Sequence, residues 1–459
     1  MRSKEQTHYL GQEKIPKLML KFSIPCILSL LVSALYNIVD QVFIGNSEMS
    51  ALGNAATGVV FPIFIIAQAF AWCFGDGCAA YLNICQGKKD TKNATACIGS
   101  GITITLLVSL ILMAVFFPLK EQILTLFGAS ENTIGMAVEY FNIILAFFPA
   151  NMLMNMMNSV IRADGSPAWS MASMLSGAII NIILDPVFIF VVQMDVAGAA
   201  LATILSQAVS AAWVLRFLFS AKSGIRIRRG NMKFEKRVVG KVIGLGIAPF
   251  IMQSTESLVN ITLNAGLQRY GGDLYVGSMT IMQSVMQMLV MPIQGITQGA
   301  QPIMSYNYGA KNYSRVRKTF SLLLKVMLLV TVSGFALAAL LPGVLARMFT
   351  QDAELIEIVK KMMPIFFGGI WAFGAQMACQ TTFMALGQAK ISLFLALLRK
   401  VVLLVPLALL LPVVMGGNVL GIYIAEPVAD VIASFTTLSL FLIKRKTLLP
   451  DGGAPAKSK

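Results

Sequence analysis

Residues that carry out acid–base and metal chemistry are scarce in this sequence. Among 459 residues there is one histidine, His8, and only 12% of the side chains are charged; ordinary soluble domains have roughly 25%. We therefore expect neither a histidine-based catalytic triad nor a histidine-ligated metal centre. The six cysteines form no C-x-x-C pair, and we interpret them as buried apolar side chains.

Nucleotide-hydrolysing motifs are also missing. The two Gly-Lys pairs, Gly87-Lys88 and Gly240-Lys241, are not followed by the Ser or Thr of a phosphate-binding P-loop. A membrane-embedded enzyme would need His, Cys or clustered acids at a water-facing end of the protein, and the sequence does not supply them. We predict that the chain is not an enzyme and that it has no cofactor.

Hydrophobic residues fill the sequence instead. They make up 57% of it, which is too much for a soluble protein to cover and far too much for a disordered chain. Twelve apolar stretches are long enough to cross a bilayer as α-helices. We number them spans 1 to 12, and they cover residues 18–44, 55–83, 95–118, 137–158, 168–193, 197–220, 241–268, 276–305, 317–341, 359–385, 391–414 and 419–443.

Basic residues alternate between the loops. The net charge is +15, and Lys and Arg are dense before span 1, between spans 2 and 3, across residues 222–241 and after span 12. The positive-inside rule then predicts a multi-pass plasma-membrane protein with both termini and the middle linker in the cytoplasm. Nucleic-acid binding is not expected, because the basic residues lie in alternate loops rather than forming one patch.

The two halves of the chain resemble each other at an almost constant offset of 222 residues. Residues 87–90 match 309–312, residues 162–165 match 384–387, residues 75–77 match 297–299 and, with a small shift, Pro25 matches Pro249. Six spans per half is an even number, so both halves enter the membrane from the same side. We predict an all-α integral membrane protein with two pseudo-symmetric parallel six-helix bundles and a central cavity. The bundles cover 1–220 and 241–446, with a basic cytoplasmic linker at 221–240 and a disordered cytoplasmic tail at 447–459.

Several local motifs match one known family of membrane proteins. They are Pro25, Asp40-x-x-Phe43-Ile44-Gly45, Gln86-Gly87, Arg162-Ala163-Asp164-Gly165 and Asn181-x-x-x-Asp185-Pro186. With these motifs the sequence resembles the multidrug and toxic compound extrusion (MATE) family over nearly its whole length. The resemblance implies a monomeric secondary antiporter, without an obligate protein partner, that exports small amphipathic and often cationic compounds in exchange for H⁺ or Na⁺ by alternating access.

The resemblance also implies where the ion is coupled. Positions matching Asp40, Asn181, Asp185 and Thr203 form a cation-linked site in the family, and a Na⁺ ion at these four positions is the one metal site we expect. The physics agrees, because two carboxylates in a low-dielectric pocket repel and favour sharing one proton or one Na⁺. The alternative is that these acids only hydrogen-bond helices together. Pro25 removes a helical hydrogen bond and is the expected hinge.

Polar side chains form stripes on spans 7 and 8. Stripes of this kind should face a water-filled cavity, since lipid would leave the amides without hydrogen-bond partners. The alternative is that they form hydrogen bonds between helices. The predicted substrate-cavity residues are Gln253, Glu256, Asn260, Gln283, Gln287, Met282, Met286 and Asn155. Glu256 matches a second acidic position of sodium-linked family members, but residues 371–380 lack the Asp that accompanies it there.

Other charges in the spans have no assigned role. The sequence leaves the roles of Asp76, Glu426 and Asp430 open, and we interpret Lys325, Arg399 and Lys400 as side chains that can snorkel inward and need no special role. A lipid-linked saccharide flippase of the same wider superfamily is the alternative function, and a channel is the alternative from another class. The sequence does not decide between H⁺ and Na⁺.

Overall fold

The computed structural model describes residues 9–45, 50–220 and 234–450, and within them the chain is helical without strands. Most of the predicted linker, 221–233, and the end of the tail, 451–459, lie outside the described residues. In the first half the helices are α1 (Ile15–Gly45), α2 (Ser50–Gly87), α3 (Thr91–Leu126), α4 (Ile134–Ala146), α5 (Phe148–Ala163), α6 (Pro167–Pro186) and α7 (Asp195–Phe219). In the second half they are α8 (Lys236–Tyr270), α9 (Asp273–Gly309), α10 (Tyr313–Leu340), α11 (Pro342–Arg347), α12 (Ala353–Phe366), α13 (Ile370–Ala385), α14 (Ala389–Leu397), α15 (Val405–Val414) and α16 (Leu420–Leu448).

The predicted membrane spans correspond to these helices. Eleven described helices, some containing short π or 3₁₀ turns, are long and apolar enough to cross a membrane, and α4 with α5 forms a twelfth, bent by 55°. Pro149, near the start of α5, lacks the N–H that would continue α4 without a break. The prediction of a multi-pass, all-α membrane protein with twelve spans is therefore confirmed.

Most helices run beyond the predicted apolar stretches, and α3 and α12 begin directly after a polar residue that caps the helix, Asp90 and Asp352. The helix α3 begins at Thr91 rather than at residue 95, and the side chain of Asp90 accepts a hydrogen bond from the backbone N–H of Asn93 at 3.0 Å. The Asn93 side chain also donates to Asp90, and these hydrogen bonds hold the pKa of Asp90 below its ordinary value. Two of the spans also contain a π-helical turn: Val187–Val191 follows α6, and Leu398–Leu404 lies between α14 and α15.

The backbone repeats at the predicted offset. Lys89 and Lys311 both have a positive φ, 60° and 58°, although neither is glycine. Gly165 and Gly387 have φ values of 86° and 75° at the matching turns of the two halves. Left-handed geometry is uncommon for residues other than glycine, so its recurrence at equivalent positions confirms the internal duplication.

The chain divides into two compact units whose limits differ from the predicted bundles. The first comprises Met1–Glu13 and Ile24–Phe250, and the second comprises Lys14–Ser23 and Ile251–Lys459. Both divisions inside a helix fall within two residues of the paired prolines, Pro25 in α1 and Pro249 in α8. The first part of α1, up to Ser23, thus belongs to the second unit, and the first part of α8, up to Phe250, belongs to the first.

Each unit has an aromatic core. In the first unit Phe116, Phe141 and Phe148 of α3, α4 and α5 pack with ring centroids 6.3 to 6.5 Å apart. In the second unit Phe441 of α16 contacts Phe320 at 4.3 Å and Phe383 at 5.6 Å. These cores hold the helices on which the polar side chains described next are placed.

Candidate functional site

Four buried polar side chains of the first unit are the predicted ion-coupling residues. Asn181 and Asp185 lie one turn apart on α6, while Asp40 lies on α1 and Thr203 on α7. The exposed fractions of Asp40, Asn181, Asp185 and Thr203 are 8%, 1%, 0% and 7%. Pro186 and the π-helical turn follow Asp185 directly, so the helix that carries the buried carboxyl is irregular there.

Direct contacts join three of the four. The carboxyl groups of Asp40 and Asp185 interact with each other. Asn181 Nδ2 donates a hydrogen bond to Oδ1 of Asp185 at 3.1 Å. The Thr203 backbone carbonyl accepts from the Ser206 hydroxyl at 2.7 Å, and no hydrogen bond among the described residues links the Thr203 side chain to either carboxyl.

Unsatisfied oxygens concentrate in this group. Oδ1 of Asp40, Oδ2 of Asp185 and Oδ1 of Asn181 are buried without a hydrogen-bond partner. The ion pairs seen in the described part of the chain include neither carboxyl. Buried acceptors and charges without partners are costly. One shared proton, or one hard cation that takes oxygen ligands, would relieve this cost, so the donor set fits either ion.

Two tyrosines near the acids were missed by the sequence analysis. Tyr36 on α1 and Tyr140 on α4 lie within electrostatic range of both Asp40 and Asp185. Tyr36 precedes Asp40 by four residues, and this spacing places both side chains on one face of α1. That signal was available in the sequence, whereas nothing in the sequence connects Tyr140 with the acids.

The predicted substrate residues of the second unit lie on α8 and α9. Gln283 Nε2 donates to Oδ1 of Asn260 at 3.1 Å, which links the two polar stripes. Glu256 and Gln287 are exposed, whereas Gln253 and Met286 are partly buried. The structure therefore leaves several polar side chains of these stripes with accessible surface.

Two predicted cavity residues are placed differently. Met282 is completely buried, in line with Met279 and Val285 on the same helix, so its thioether is part of the core and lines no open space here. Asn155 belongs to the first unit, where it donates to Asn151 one turn earlier at 2.8 Å.

Contrary to the prediction, Arg399 and Lys400 do not snorkel, because both are paired with groups inside the second unit. Lys400 is 7% exposed and its ammonium group bonds both Glu256 and the carbonyl of Met252, the latter at 2.8 Å. Arg399 donates to Asp430 at 2.6 Å and to Glu426 at 2.8 Å. The roles that the sequence left open for Glu426 and Asp430 thus include pairing with a buried guanidinium group.

A cleft in the second unit adjoins these cations. Its walls are Met252, Phe373, Gln376, Met377, Gln380, Leu395, Ala396, Arg399 and Lys400. The Arg399 guanidinium group lies over the Phe373 ring, 4.6 Å from its centroid. The cleft therefore combines apolar and aromatic surface with two cations, both of which are already paired.

Asp76, on α2 of the first unit, belongs to a separate polar network. Its Oδ1 accepts from the Ser159 hydroxyl at 3.1 Å and lies 3.9 Å from the guanidinium group of Arg162. Arg162 also donates to Ser159 at 2.8 Å. These contacts join α2 to α5, and the network balances one acid against one base.

Comparison with known proteins identifies the family. The MatE family model matches residues 25–187 and 249–410, two segments that begin at the paired prolines. The chain is 26% identical to the multidrug export protein MepA of Staphylococcus haemolyticus (strain JCSC1435), over 95% of this chain and 96% of that protein. It is 25% identical to MepA of Staphylococcus aureus (strain NCTC 8325 / PS 47), over 92% and 93%.

A solved structure has the same fold. It is described as the outward-facing conformation of a multidrug resistance MATE family transporter, and it aligns with a TM-score of 0.87 and 22% identity over 96% of this chain and 98% of that chain. The match to the family model covers both repeats, in agreement with the motifs around Asp40 and Asp185. The chain therefore belongs to the multidrug and toxic compound extrusion (MATE) family of membrane transporters.

Proposed function

We propose that this protein is a secondary antiporter that exports small amphipathic, cationic compounds in exchange for H⁺ or Na⁺. Family membership and the full-length similarity to proteins named multidrug export protein support export of organic compounds. The buried acids of the first unit support ion coupling. The exposed carboxylate of Glu256, among amides and thioethers of the second unit, supports cationic substrates.

One observation carries the coupling proposal. Asp40 and Asp185 interact in a buried position, each has an oxygen without a partner, and neither forms an ion pair with a described Lys or Arg. In a low-dielectric site two negative charges in contact are strongly disfavoured. Binding of one proton or one Na⁺ removes part of that charge. For Na⁺, the side-chain amide oxygen of Asn181, Oδ1, would be a further ligand.

Coupling requires that ion and substrate stabilise different conformations. A ligand shifts a conformational equilibrium only by its difference in affinity for the two states. We propose that filling the Asp40/Asp185 site changes the conformation of α1, in which Pro25 lacks one helical hydrogen bond and acts as a hinge. Parallel repeats are suited to alternating access by movement of one bundle against the other.

Substrate recognition is proposed for the accessible side chains of the polar stripes. These are Gln253, Glu256, Asn260, Gln283, Gln287 and Met286 in the second unit, with Asn155 in the first. Amides and a flexible thioether adapt to ligands of different shape. We further propose a plasma-membrane monomer with both termini in the cytoplasm, supported by the distribution of Lys and Arg between loops.

The test is export by purified protein in liposomes with imposed gradients. An inward pH gradient and an inward Na⁺ gradient are applied separately, and the flux of a fluorescent organic cation is recorded. Wild-type protein should respond to one gradient, while Asp185→Asn, which removes the charge but keeps the side-chain volume, should lose most of that response. Asp273→Asn, at an exposed position, is the matched control.

Two outcomes would contradict the proposal. Normal gradient-driven flux by Asp185→Asn would exclude the coupling site, and flux that neither gradient changes would exclude antiport. Movement of a lipid-linked saccharide without movement of organic cations would support the flippase alternative instead.

A further inference from the structure

The second unit holds a charge cluster that has no counterpart at the matching positions of the first. Its members are the acids Glu256, Glu426 and Asp430 and the bases Arg399 and Lys400, joined by ion pairs. The cluster therefore has three carboxylates against two cations when all are ionised. At the offset of 222, Asn181 and Asp185 match Leu403 and Leu407, so the cluster is not a second copy of the acid site.

A π-helical turn directs the two bases to different helices. Arg399 and Lys400 are consecutive residues of the turn Leu398–Leu404. Arg399 reaches Glu426 and Asp430 on α16, while Lys400 reaches Glu256 on α8. Consecutive residues of a helix do not face the same neighbour. This single turn therefore supplies one cation to α16 and one to α8.

Burial is unequal within the cluster. The side chains of Arg399, Glu426 and Asp430 are 13%, 10% and 2% exposed, and that of Lys400 is 9% exposed, whereas that of Glu256 is 53% exposed. Lys400 bonds Oε2 of Glu256. The other oxygen, Oε1, has no hydrogen bond among the described residues. Glu256 is therefore the one accessible carboxylate of the cluster, and Lys400 balances its charge, whereas the excess carboxylate lies with Arg399 in the buried group.

We propose that Lys400 determines specificity by competing, as a tethered cation, with the substrate cation for Glu256. This inference rests on the proposed function and names a residue that tunes it. With Lys400 in place, a substrate cation approaches a carboxylate whose charge is already balanced. The Lys400 ammonium group also weakens the attraction of Glu256 for that cation, so the substrate binds loosely enough to be released.

Removal of Lys400 should change affinity according to ligand charge. Lys400→Met keeps an unbranched chain of similar length and leaves the cluster with a second negative charge to be balanced. We expect binding of tetraphenylphosphonium, a monovalent cation, to tighten by about fivefold, and binding of dequalinium, a divalent cation, to tighten more, since a close ion pair of this kind is worth about 1 kcal/mol. Triphenylphosphine oxide, an uncharged analogue, should bind as before.

The experiment is equilibrium binding to full-length protein in nanodiscs, with tritiated tetraphenylphosphonium as the probe and the other two compounds as competitors. The double variant Lys400→Met with Glu256→Gln should lose the gain. Lys400→Arg, which keeps the charge and can occupy both carboxylate oxygens, should weaken tetraphenylphosphonium binding severalfold, and it tests the inference even where Lys400→Met does not fold.

The outcomes separate the inference from the proposed function. Wild-type protein that binds neither cation would overturn the proposed function itself. Wild-type protein that binds them, with Lys400→Met or Lys400→Arg showing unchanged affinity or equal changes for all three compounds, would overturn the role of Lys400 and leave the proposed function standing.

Discussion

At the scale of single residues, the two units use buried charge in opposite ways. Asp40 and Asp185 contact each other, none of the ion pairs between described residues includes either one, and each has one oxygen without a hydrogen-bond partner. Glu426 and Asp430 are buried to a similar degree, but a guanidinium group binds both. An acid pair without a base responds to added protons or Na⁺, whereas an acid pair with a base is held in one state. Because only the acid pair of the second unit is bound by a base, ion coupling is favoured in the first unit.

A substitution at Glu256 tests its role in binding. In Glu256→Gln we expect the affinity for monovalent organic cations to fall by about fivefold, the effect of losing one favourable charge interaction of about 1 kcal/mol. Affinity for uncharged compounds should change less than threefold. The measurement is equilibrium binding of matched charged and uncharged ligands.

Stability is the control for this variant, because Lys400 would lose its acid partner. The double variant with Lys400→Met removes both charges and should restore any loss of thermal stability. An equal loss of affinity for charged and uncharged ligands would assign Glu256 a structural role.

The acids of the first unit could be predicted from the sequence, but the ion pairs of the second could not. Asp40 and Asp185 are carboxyl groups inside long apolar stretches, where charge is costly and therefore functional by default. Lys400 and Glu256 are 144 residues apart in the chain, and a lysine in an apolar helix is equally compatible with snorkelling. Only the packing of α8 against the π-helical turn decides between these readings.

At the scale of helices, Pro25 is the feature most directly connected with movement. It lies inside α1, which also carries Asp40, and the Ser29 hydroxyl donates to the Pro25 carbonyl at 2.7 Å. Pro25→Ala would restore a backbone donor and favour a straight helix by up to about 3 kcal/mol. We expect export to slow by about tenfold while equilibrium binding of substrate changes little, because an energy difference of 1.4 kcal/mol between states already corresponds to a factor of ten.

The matched control is Pro118→Ala, at an exposed proline inside α3. It should leave the transport rate within about twofold of wild type, as surface substitutions usually have small effects. Transport rates in liposomes and binding in nanodiscs are compared for both variants. An unchanged rate for Pro25→Ala would contradict a hinge at this position.

Helix positions followed from the sequence, whereas helix interruptions did not. Apolar stretches located all twelve spans, and the cap at Asp90 explains why α3 begins before its apolar stretch. The bend before α5 has a visible cause in Pro149. The π-helical turn Leu398–Leu404 has no such local signal, since its residues are as apolar as those around it except for the two bases that it presents.

At the scale of the whole molecule, the duplication extends to the packing of the first part of α8 in the first unit and the first part of α1 in the second. In the first unit Gly77 of α2 packs against α8, where a Cβ atom would lie 3.0 Å from the carbonyl carbon of Val242. In the second unit Gly299 of α9 packs against α1, where a Cβ atom would lie 2.6 Å from the backbone nitrogen of Ser23. Gly77 and Gly299 are 222 residues apart, so equivalent glycines perform equivalent packing.

Substitution of these glycines tests the packing. Gly77→Ala forces a methyl group against backbone, and overpacking of this kind costs about 1–3 kcal/mol. We expect the thermal midpoint of the detergent-purified protein to fall by about 2–6 °C. The control is Gly58→Ala on the same helix, where a Cβ atom meets nothing within 4 Å and where alanine should stabilise the helix slightly. A midpoint for Gly77→Ala equal to that of Gly58→Ala would contradict this account.

The limits of the two units could not be predicted from the repeat alone. Sequence similarity places the boundary in the basic linker, but the units divide inside α1 and α8, close to Pro25 and Pro249. Similarity between halves reports common descent, whereas unit membership depends on which helices pack together. Pairing of Pro25 with Pro249 was the one sequence observation that indicated where the division falls.

The most direct test of ion coupling uses no imposed ion gradient. Liposomes containing the protein are loaded with an organic cation and diluted, and the counter-movement of H⁺ or Na⁺ is followed with an internal pH-sensitive dye or with ²²Na⁺. Coupling through Asp40 and Asp185 predicts that outward flow of substrate drives inward movement of one of the two ions in wild-type protein and not in Asp185→Asn. Substrate flow without any counter-movement of H⁺ or Na⁺ in wild-type protein would contradict the account.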